Sequence, residues 1–207
     1  MTGAAMAKKG LLFIISGPAG SGKGTIVSRV RELAEFDFSV SATTRAPRPG
    51  EIDGVHYHFI DRARFEEMIR NDELLEHAEY VGNYYGTPRK PVEETLAEGK
   101  NIILDIEVQG AMQVKAKMPE AIMIFVLPPD FKTLLGRIRG RGTESEEVIS
   151  LRMQKARLEI SLFDHYDYVV VNREGAVEDA AQEVLSILRA ERLKTFRNGD
   201  IPAQFFD

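Results

Sequence analysis

Leu11 to Ile15 is an unbroken apolar run, the pattern of a strand covered on both faces. A glycine cluster follows, and then Ile26, Val30, Leu33 and Ala34 recur at helical spacing. Asn101 to Asp105, Ala121 to Leu127 and Tyr168 to Val171 repeat the strand pattern, the second of them halted by Pro128 and Pro129. Ala176 to Thr195 carries the apolar period of a closing helix. Strand and helix patterns in alternation predict an α/β core, a parallel sheet flanked by helices.

Two stretches break this rhythm. From Ser39 to about Pro91 the chain is rich in aromatic, polar, Gly and Pro residues, with short alternating pieces such as His56-Tyr57-His58-Phe59. That texture predicts an inserted β-rich subdomain with one helix, whose apolar face is Phe65, Met68 and Ile69. The alternation sets His56 and His58 on one strand face as surface residues, since no partner stands at metal-ligand spacing. From Arg137 to about Arg157 the chain is strongly charged. There Thr143, with Glu146 three residues on, predicts a capping box that opens a helix through Leu151 and Ala156.

Composition narrows the class. The chain has 207 residues, 43% hydrophobic and 29% charged, which suits one globular core with excursions. It has no cysteine, which excludes disulfides and thiolate metal sites and favours a reducing, cytoplasmic setting. Lys8-Lys9 before the apolar run resemble the start of a signal peptide, but the run falls short of the roughly 7–15 residues of such a segment. No stretch reaches the ~18 apolar residues that a membrane span needs. Met1 to Ala7 read as a frayed tail, with Met6 as an alternative start. The net charge of -5 argues against nucleic acid as a partner. Local arginine clusters at Arg45 and Arg48, and at Arg137, Arg139 and Arg141, suit a small, highly charged ligand instead.

The candidate chemistry begins at Gly17-Pro18-Ala19-Gly20-Ser21-Gly22-Lys23-Gly24-Thr25. Gly17, Gly22 and Lys23 have the spacing of a phosphate-binding P-loop, between a buried strand and an amphipathic helix. Glycines let successive backbone N–H groups turn inward onto phosphate oxygens, and the helix N-terminus adds partial positive charge. Lys23 is placed to bridge the β- and γ-phosphates. Gly24 stands where Ser or Thr is usual, so Thr25 is the nearest hydroxyl for Mg²⁺. Asp105 ends an apolar strand, the usual position of an acid near Mg²⁺, and Glu107 follows on the same face if the strand continues. The guanine-reading Asn-Lys-x-Asp motif of a GTPase is absent. In the insertion, Arg45 and Arg48 sit three apart among prolines, two planar forks suited to one phosphate group.

Around these arginines the sequence resembles the guanylate kinases. The resemblance is carried by Ser41 to Glu51, Gly54 to Phe59, Leu75 to Ala78 and Gly82 to Thr87. It continues through Ile103 to Gly110, Arg139 to Glu144 and Val170 to Asn172, in order from about Leu11 to Leu188. It implies a P-loop nucleoside monophosphate kinase that moves a phosphoryl group from ATP to GMP, and to dGMP, in purine metabolism. It further implies that Arg45, Arg48, Tyr57 and Tyr85 hold the GMP phosphate and that Ser41, Glu76 and Thr87 read guanine. Independently of family, a carboxylate is acceptor-only, so Glu76 can take the adjacent N1–H and N2–H₂ donors of guanine and reject adenine. Arg137, Arg141 and Arg152 match arginines that approach the transferring phosphates. Asp105 and Glu107 share the organisation of metal-bound water and of GMP, in a division the sequence leaves open. Mg²⁺ is expected through phosphates and water, with Thr25 and Asp105 as candidate side chains. The expected layout is a flexible tail over 1–9 and a core over 10–40, 92–136 and 158–207. Residues 41–91 would bind GMP and 137–157 would form a helical lid. Two other readings compete, a non-catalytic phosphopeptide-binding module of the same lineage and a kinase for another nucleoside monophosphate. Monomer and homo-oligomer are equally compatible with the sequence.

Overall fold

The computed structural model describes residues 9–34, 36–140 and 145–202. Its larger sheet has five parallel strands: β1 (Leu12–Ser16), β2 (Asp37–Phe38), β7 (Ile102–Asp105), β8 (Ile122–Leu127) and β9 (Tyr168–Val171), in the order β2-β7-β1-β8-β9. The apolar runs form its interior, because a strand with helices on both sides has no wet face. Phe13 and Ile15 turn towards α1 (Lys23–Leu33) and α7 (Val177–Arg192), packing with Ile26, Val30, Val184 and Leu188. Leu12 and Ile14 turn the other way, towards α3 (Arg89–Ala97) and α4 (Val108–Lys117), through Val92, Leu96, Ala111 and Val114.

The second sheet comes from the insertion. β3 (Ala42–Thr43), β4 (His58–Phe59), β5 (Leu74–Tyr80) and β6 (Asn83–Pro88) lie in the order β4-β3-β6-β5. α2 (Arg62–Arg70) covers one face with Phe65 and Met68, and its first turn is capped by the Asp61 carboxylate, which accepts from the Arg64 N–H at 2.7 Å. The apolar positions expected of this helix are thus partly correct: Phe65 and Met68 are buried and Ile69 packs at the margin.

α5 (Phe131–Arg139) and α6 (Glu146–Ile160) pack on each other through Leu134, Ile138, Ile149, Met153 and Ala156. The expected capping box is replaced. Thr143 lies outside the described residues, and the cap of α6 is Ser145, whose Oγ accepts from the Val148 N–H at 3.4 Å. The histidine pair also differs from expectation. Only His58 is in a strand, while His56 closes a turn, its Nδ1 accepting from the Ile52 N–H at 3.0 Å. Among the described residues no helix is long and apolar enough to cross a membrane.

Candidate active site

β1, β7 and β9 all deliver polar groups from their carboxyl ends, the edge at which open α/β sheets bind ligands. Beyond β1 the chain turns through Gly17 to Gly22 into α1, with Gly22 as the N-cap in the left-handed region, φ 87° and ψ 15°. A Cβ on Gly22 would sit 2.0 Å from Nδ2 of Asn172, so both the backbone conformation and the space exclude a side chain. Lys23 opens α1, and its ammonium forms an ion pair with the carboxylate of Asp105, the last residue of β7. Ile15 pairs with Asp105 in the β1–β7 register, which brings the lysine and the acid together from residues 82 apart. Thr25 is exposed in the first turn of α1.

The loop is braced from behind. The Ser21 carbonyl accepts from Asn172 Nδ2 at 2.8 Å and from the Arg137 guanidinium at 3.0 Å, and Arg137 also donates to the Asn172 carbonyl at 2.9 Å. Sequence reasoning missed this role of Asn172. The available signal was its position, a polar residue directly following the apolar strand β9, where it is 4% exposed. Arg137 was expected at the phosphates; its guanidinium lies against the loop backbone. A cavity of about 320 Å³ opens here, lined by Gly20, Gly22, Thr25, Arg137, Asn172 and Arg173 among others. Arg152 stands half-buried on α6, beside the core residue Met153. Arg139 pairs with Glu146 at 2.8 Å on the exposed side of the helix pair. Arg141 lies outside the described residues.

On the second sheet the base-reading candidates line up across three strands. Glu76 of β5 pairs with Thr87 of β6, and Ala42 pairs with Gly86, so the β3–β6 register carried one residue further sets Ser41 beside Thr87. Thr87 Oγ1 donates to Glu76 Oε1 at 2.7 Å, and Glu76 is 6% exposed. Burial pushes the Glu76 carboxyl above its usual range, opposed by hydrogen bonds from Thr87 and reinforced by the nearby charge of Glu107. A bulge makes this possible. The register shifts between Leu74 and Glu76, so Leu74, Leu75 and Glu76 are all buried in succession. Leu74 packs with Phe65 under α2, while Leu75 enters the main core beside Val92 and Leu104.

Tyr85 lies two residues from Thr87 on β6, hence on the same face of the strand. Its ring meets that of Tyr57 edge-on, with centroids 6.1 Å apart, and Arg45 lies 5.5 Å from the Tyr57 ring. Burial raises the Tyr57 pKa, with Tyr85 adding to it, so the phenol stays a donor at neutral pH. Arg45 is held by Glu51, to which it donates from both terminal nitrogens at 2.9 and 2.8 Å; the Arg48 N–H reaches the same carboxylate at 2.6 Å. The Arg45 hydrogen bonds hold Glu51 at a pKa of about 2. Glu51 is a second group that residue spacing did not single out. Arg48 is exposed at the rim of this loop.

Asp105 and Glu107 flank the buried Ile106 and both face solvent, the alternation expected of them, although β7 itself ends at Asp105. Glu107 is the N-cap residue of α4, and Lys155 of α6 reaches it at 3.5 Å and Glu159 at 3.4 Å. Burial disfavours the charge on Lys155, but the two carboxylates outweigh it and hold its pKa high. Among the described residues no three His, Cys, Asp or Glu side chains cluster as a metal cage. The hard oxygens present, Thr25 Oγ1 and the Asp105 carboxylate, fit Mg²⁺, which keeps several waters and takes few protein ligands beside substrate phosphates.

The guanylate kinase family model matches residues 9–191. A guanylate kinase of Lactococcus lactis is 53% identical over 93% of this chain and 93% of its own. One from Halalkalibacterium halodurans is 55% identical over 92% and 93%. The crystal structure of guanylate kinase from Anaplasma phagocytophilum superposes with a TM-score of 0.72 at 35% identity, over 93% of this chain and 92% of that one. On sequence, fold and the order of its phosphate loop and inserted sheet, the chain belongs to the guanylate kinase family.

Proposed function

We propose that the chain transfers the γ-phosphoryl group of ATP to GMP, giving ADP and GDP, with ATP on the phosphate loop and GMP on the four-stranded sheet. The observation that carries this reading is the pair of Thr87 on β6 and the buried carboxylate of Glu76 on β5, with Ser41, just before β3, next in register. Guanine presents N1–H and N2–H₂ side by side, and an ionised Glu76 accepts both. Ser41 donates to O6. Adenine offers the opposite pattern and would leave the carboxylate unpaired, a mismatch that a hydrogen-bonding site can reject by ~10⁴–10⁵. All assigned acceptor contacts go to base or phosphate, so dGMP is expected to serve as well as GMP.

Arg45, Arg48, Tyr57 and Tyr85 take the acceptor phosphate. A phosphate monoester loses its second proton near pH ~6, so at neutral pH the attacking oxygen is already ionised and needs no general base. As its bond to Pγ forms, the bond from Pγ to the β–γ bridging oxygen breaks, and ADP leaves with the electron pair. Catalysis is then alignment plus charge stabilisation. Lys23 swings from Asp105 onto the β- and γ-phosphates, and Arg137, Arg141 and Arg152 offset charge on the transferring group. The loop from Gly17 through Pro18, Ala19, Gly20, Ser21, Gly22 and Gly24 supplies backbone N–H donors, and the adjoining cavity houses the donor nucleoside. Asp105 and Glu107 orient the ligands between the two sites. Thr25 and Asp105, through water, would hold Mg²⁺ beside the bound phosphates, where the ion would supply neutralisation of the polyphosphate charge. Residues 41–91 serve as the GMP-binding unit and 137–157 as the lid, in a cytoplasmic enzyme.

A coupled assay with ATP and each nucleoside monophosphate in turn tests the reading. GMP should be the preferred acceptor, and a phosphopeptide-binding module would turn over none of them. Glu76→Ala removes two charged hydrogen bonds worth about 1.5–3 kcal/mol each, a loss of about 10²–10⁴ in kcat/KM for GMP. The KM for ATP should stay put. Equal losses for both nucleotides would remove the base-reading role of Glu76.

A further inference from the structure

β5 is the edge strand of the second sheet, and its outer side is covered by α4, not by another strand. An uncovered edge presents unpaired N–H and C=O groups, which must find partners when buried. Here they are supplied by side chains of one helix. Gln113 Oε1 accepts from the His77 N–H at 3.1 Å, and Gln113 Nε2 donates to the His77 carbonyl at 3.0 Å. A single carboxamide thus reproduces both halves of a ladder pair. One turn on, Lys117 donates to the Leu74 carbonyl at 2.8 Å and pairs with Asp72 at 2.9 Å. One turn before, the helix comes closest to Glu76. A Cβ on Gly110 would lie 2.6 Å from Glu76 Oε2, 3.0 Å from Cδ and 3.2 Å from Cγ. Positions 110, 113 and 117 fall on one face of a helix.

We propose that this stripe of α4 sets base selectivity, with Gly110 and Gln113 as positioning residues that aim the Glu76 carboxylate. The inference rests on the assignment of Glu76 to guanine. Thr87 fixes Oε1 from inside the sheet; the bare Cα of Gly110 defines where Oε2 can stand. Gln113 pins the backbone of the next residue, His77, just after the bulge, where the ladder alone specifies the register least. α4 is capped by Glu107, two residues beyond Asp105, so the same helix ties the height of the base reader to the acids at the phosphate loop. A tilt of the carboxylate by a fraction of an ångström would weaken the second of two adjacent hydrogen bonds to guanine before the first.

Hypoxanthine tests this, because IMP keeps N1–H and lacks the N2 amino group. With ATP saturating, kcat and KM for GMP and for IMP are measured in the wild type and in Gly110→Ala, Gln113→Ala and Glu76→Ala, with thermal unfolding as a check on the fold. Gly110→Ala should narrow the GMP-to-IMP ratio of kcat/KM by at least about tenfold, the worth of one hydrogen bond near 1.5 kcal/mol. Gln113→Ala should narrow it by about threefold or more, mainly through KM, while the KM for ATP holds. Gln113 is half-buried, so its variant carries the test if Gly110→Ala does not fold. Ratios within twofold of wild type in the folded variants, beside a collapsed ratio in Glu76→Ala, would overturn the role of α4 and leave Glu76 as the reader. An unchanged ratio in Glu76→Ala would overturn the assignment of Glu76 itself.

Discussion

Gly22→Ala tests the packing of the phosphate loop most directly. The backbone at Gly22 is left-handed, φ 87°, which costs a residue with a Cβ about 1–2 kcal/mol. The new methyl would meet Asn172 Nδ2 at 2.0 Å, so Asn172 must withdraw from the Ser21 carbonyl that it holds at 2.8 Å. Ser21 keeps its bond from Arg137, but the Asn172 amide is left buried without a partner, at a cost of about 1–3 kcal/mol. The sum is about 2–5 kcal/mol, which for a chain of this size lowers Tm by about 4–20 °C. Thermal unfolding followed by circular dichroism reads it. Gly24→Ala is the control, since nothing lies within 4 Å of a Cβ there and its φ is ordinary. That variant should match the wild type or gain about 0.4–1 kcal/mol. A Gly22→Ala protein melting within 2 °C of wild type would refute the reasoning, because neither backbone strain nor the clash could then be real.

Lys23→Ala should abolish nearly all turnover in a folded protein, and normal turnover would remove the phosphate-cradle argument. Arg45→Ala should raise the KM for GMP by about 10–100-fold, one charged hydrogen bond of about 1.5–3 kcal/mol, and lessen its salt dependence without moving the KM for ATP; unchanged GMP affinity would mean that the arginine is merely solvated. Glu76 should titrate above the ordinary carboxylate range when followed by carbon NMR, because burial opposes its charge. The signs oppose each other: the folding stability tied to the raised pKa is present below the unfolded value and lost as pH rises through the folded one, whereas guanine needs the ionised form that appears over that same rise. A Glu76 titration at or below the usual range would contradict the burial argument.

The parts of the fold legible in the sequence were those where a single local signal suffices. β1, β7 and β8 are continuous apolar runs because helices cover both faces; β9, at the sheet edge, is apolar although Val169 is exposed, and each of the four lies within a residue of its predicted place. β2 escaped notice because Asp37 and Phe38 pair only with β7 at the sheet edge and need no apolar stretch. α4 was hidden for a different reason. Its first turn holds Gly110, poor for a helix in isolation, and the benefit of that glycine lies in a contact with β5. The start of α6 was misread because Thr143 and Ser145 both stand at cap-compatible positions, and side-chain chemistry alone does not choose between them. In the site, Lys23 and Asp105, each singled out by its place in a motif, are joined in an ion pair that motif spacing did not announce. Asn172, Glu51 and Gln113 did not emerge, because each acts on backbone or on another side chain brought near only by folding. The bulge at Leu75 likewise leaves no trace in hydropathy, since Leu74-Leu75 followed by Glu76 gives no sign that the glutamate is buried with them.

That bulge has a consequence for how the molecule comes apart. Leu74 and Leu75, adjacent in sequence, are anchored in different cores, so β5 behaves as a shared seam. The four-stranded sheet therefore cannot melt by itself while the larger sheet stays whole: pulling out one leucine frees the other. In amide hydrogen exchange, the protected positions of β5 should open together with those of β7, as one cooperative unit, despite the sheets having no strand in common. Any motion of the four-stranded sheet then has to pivot about this seam without breaking it.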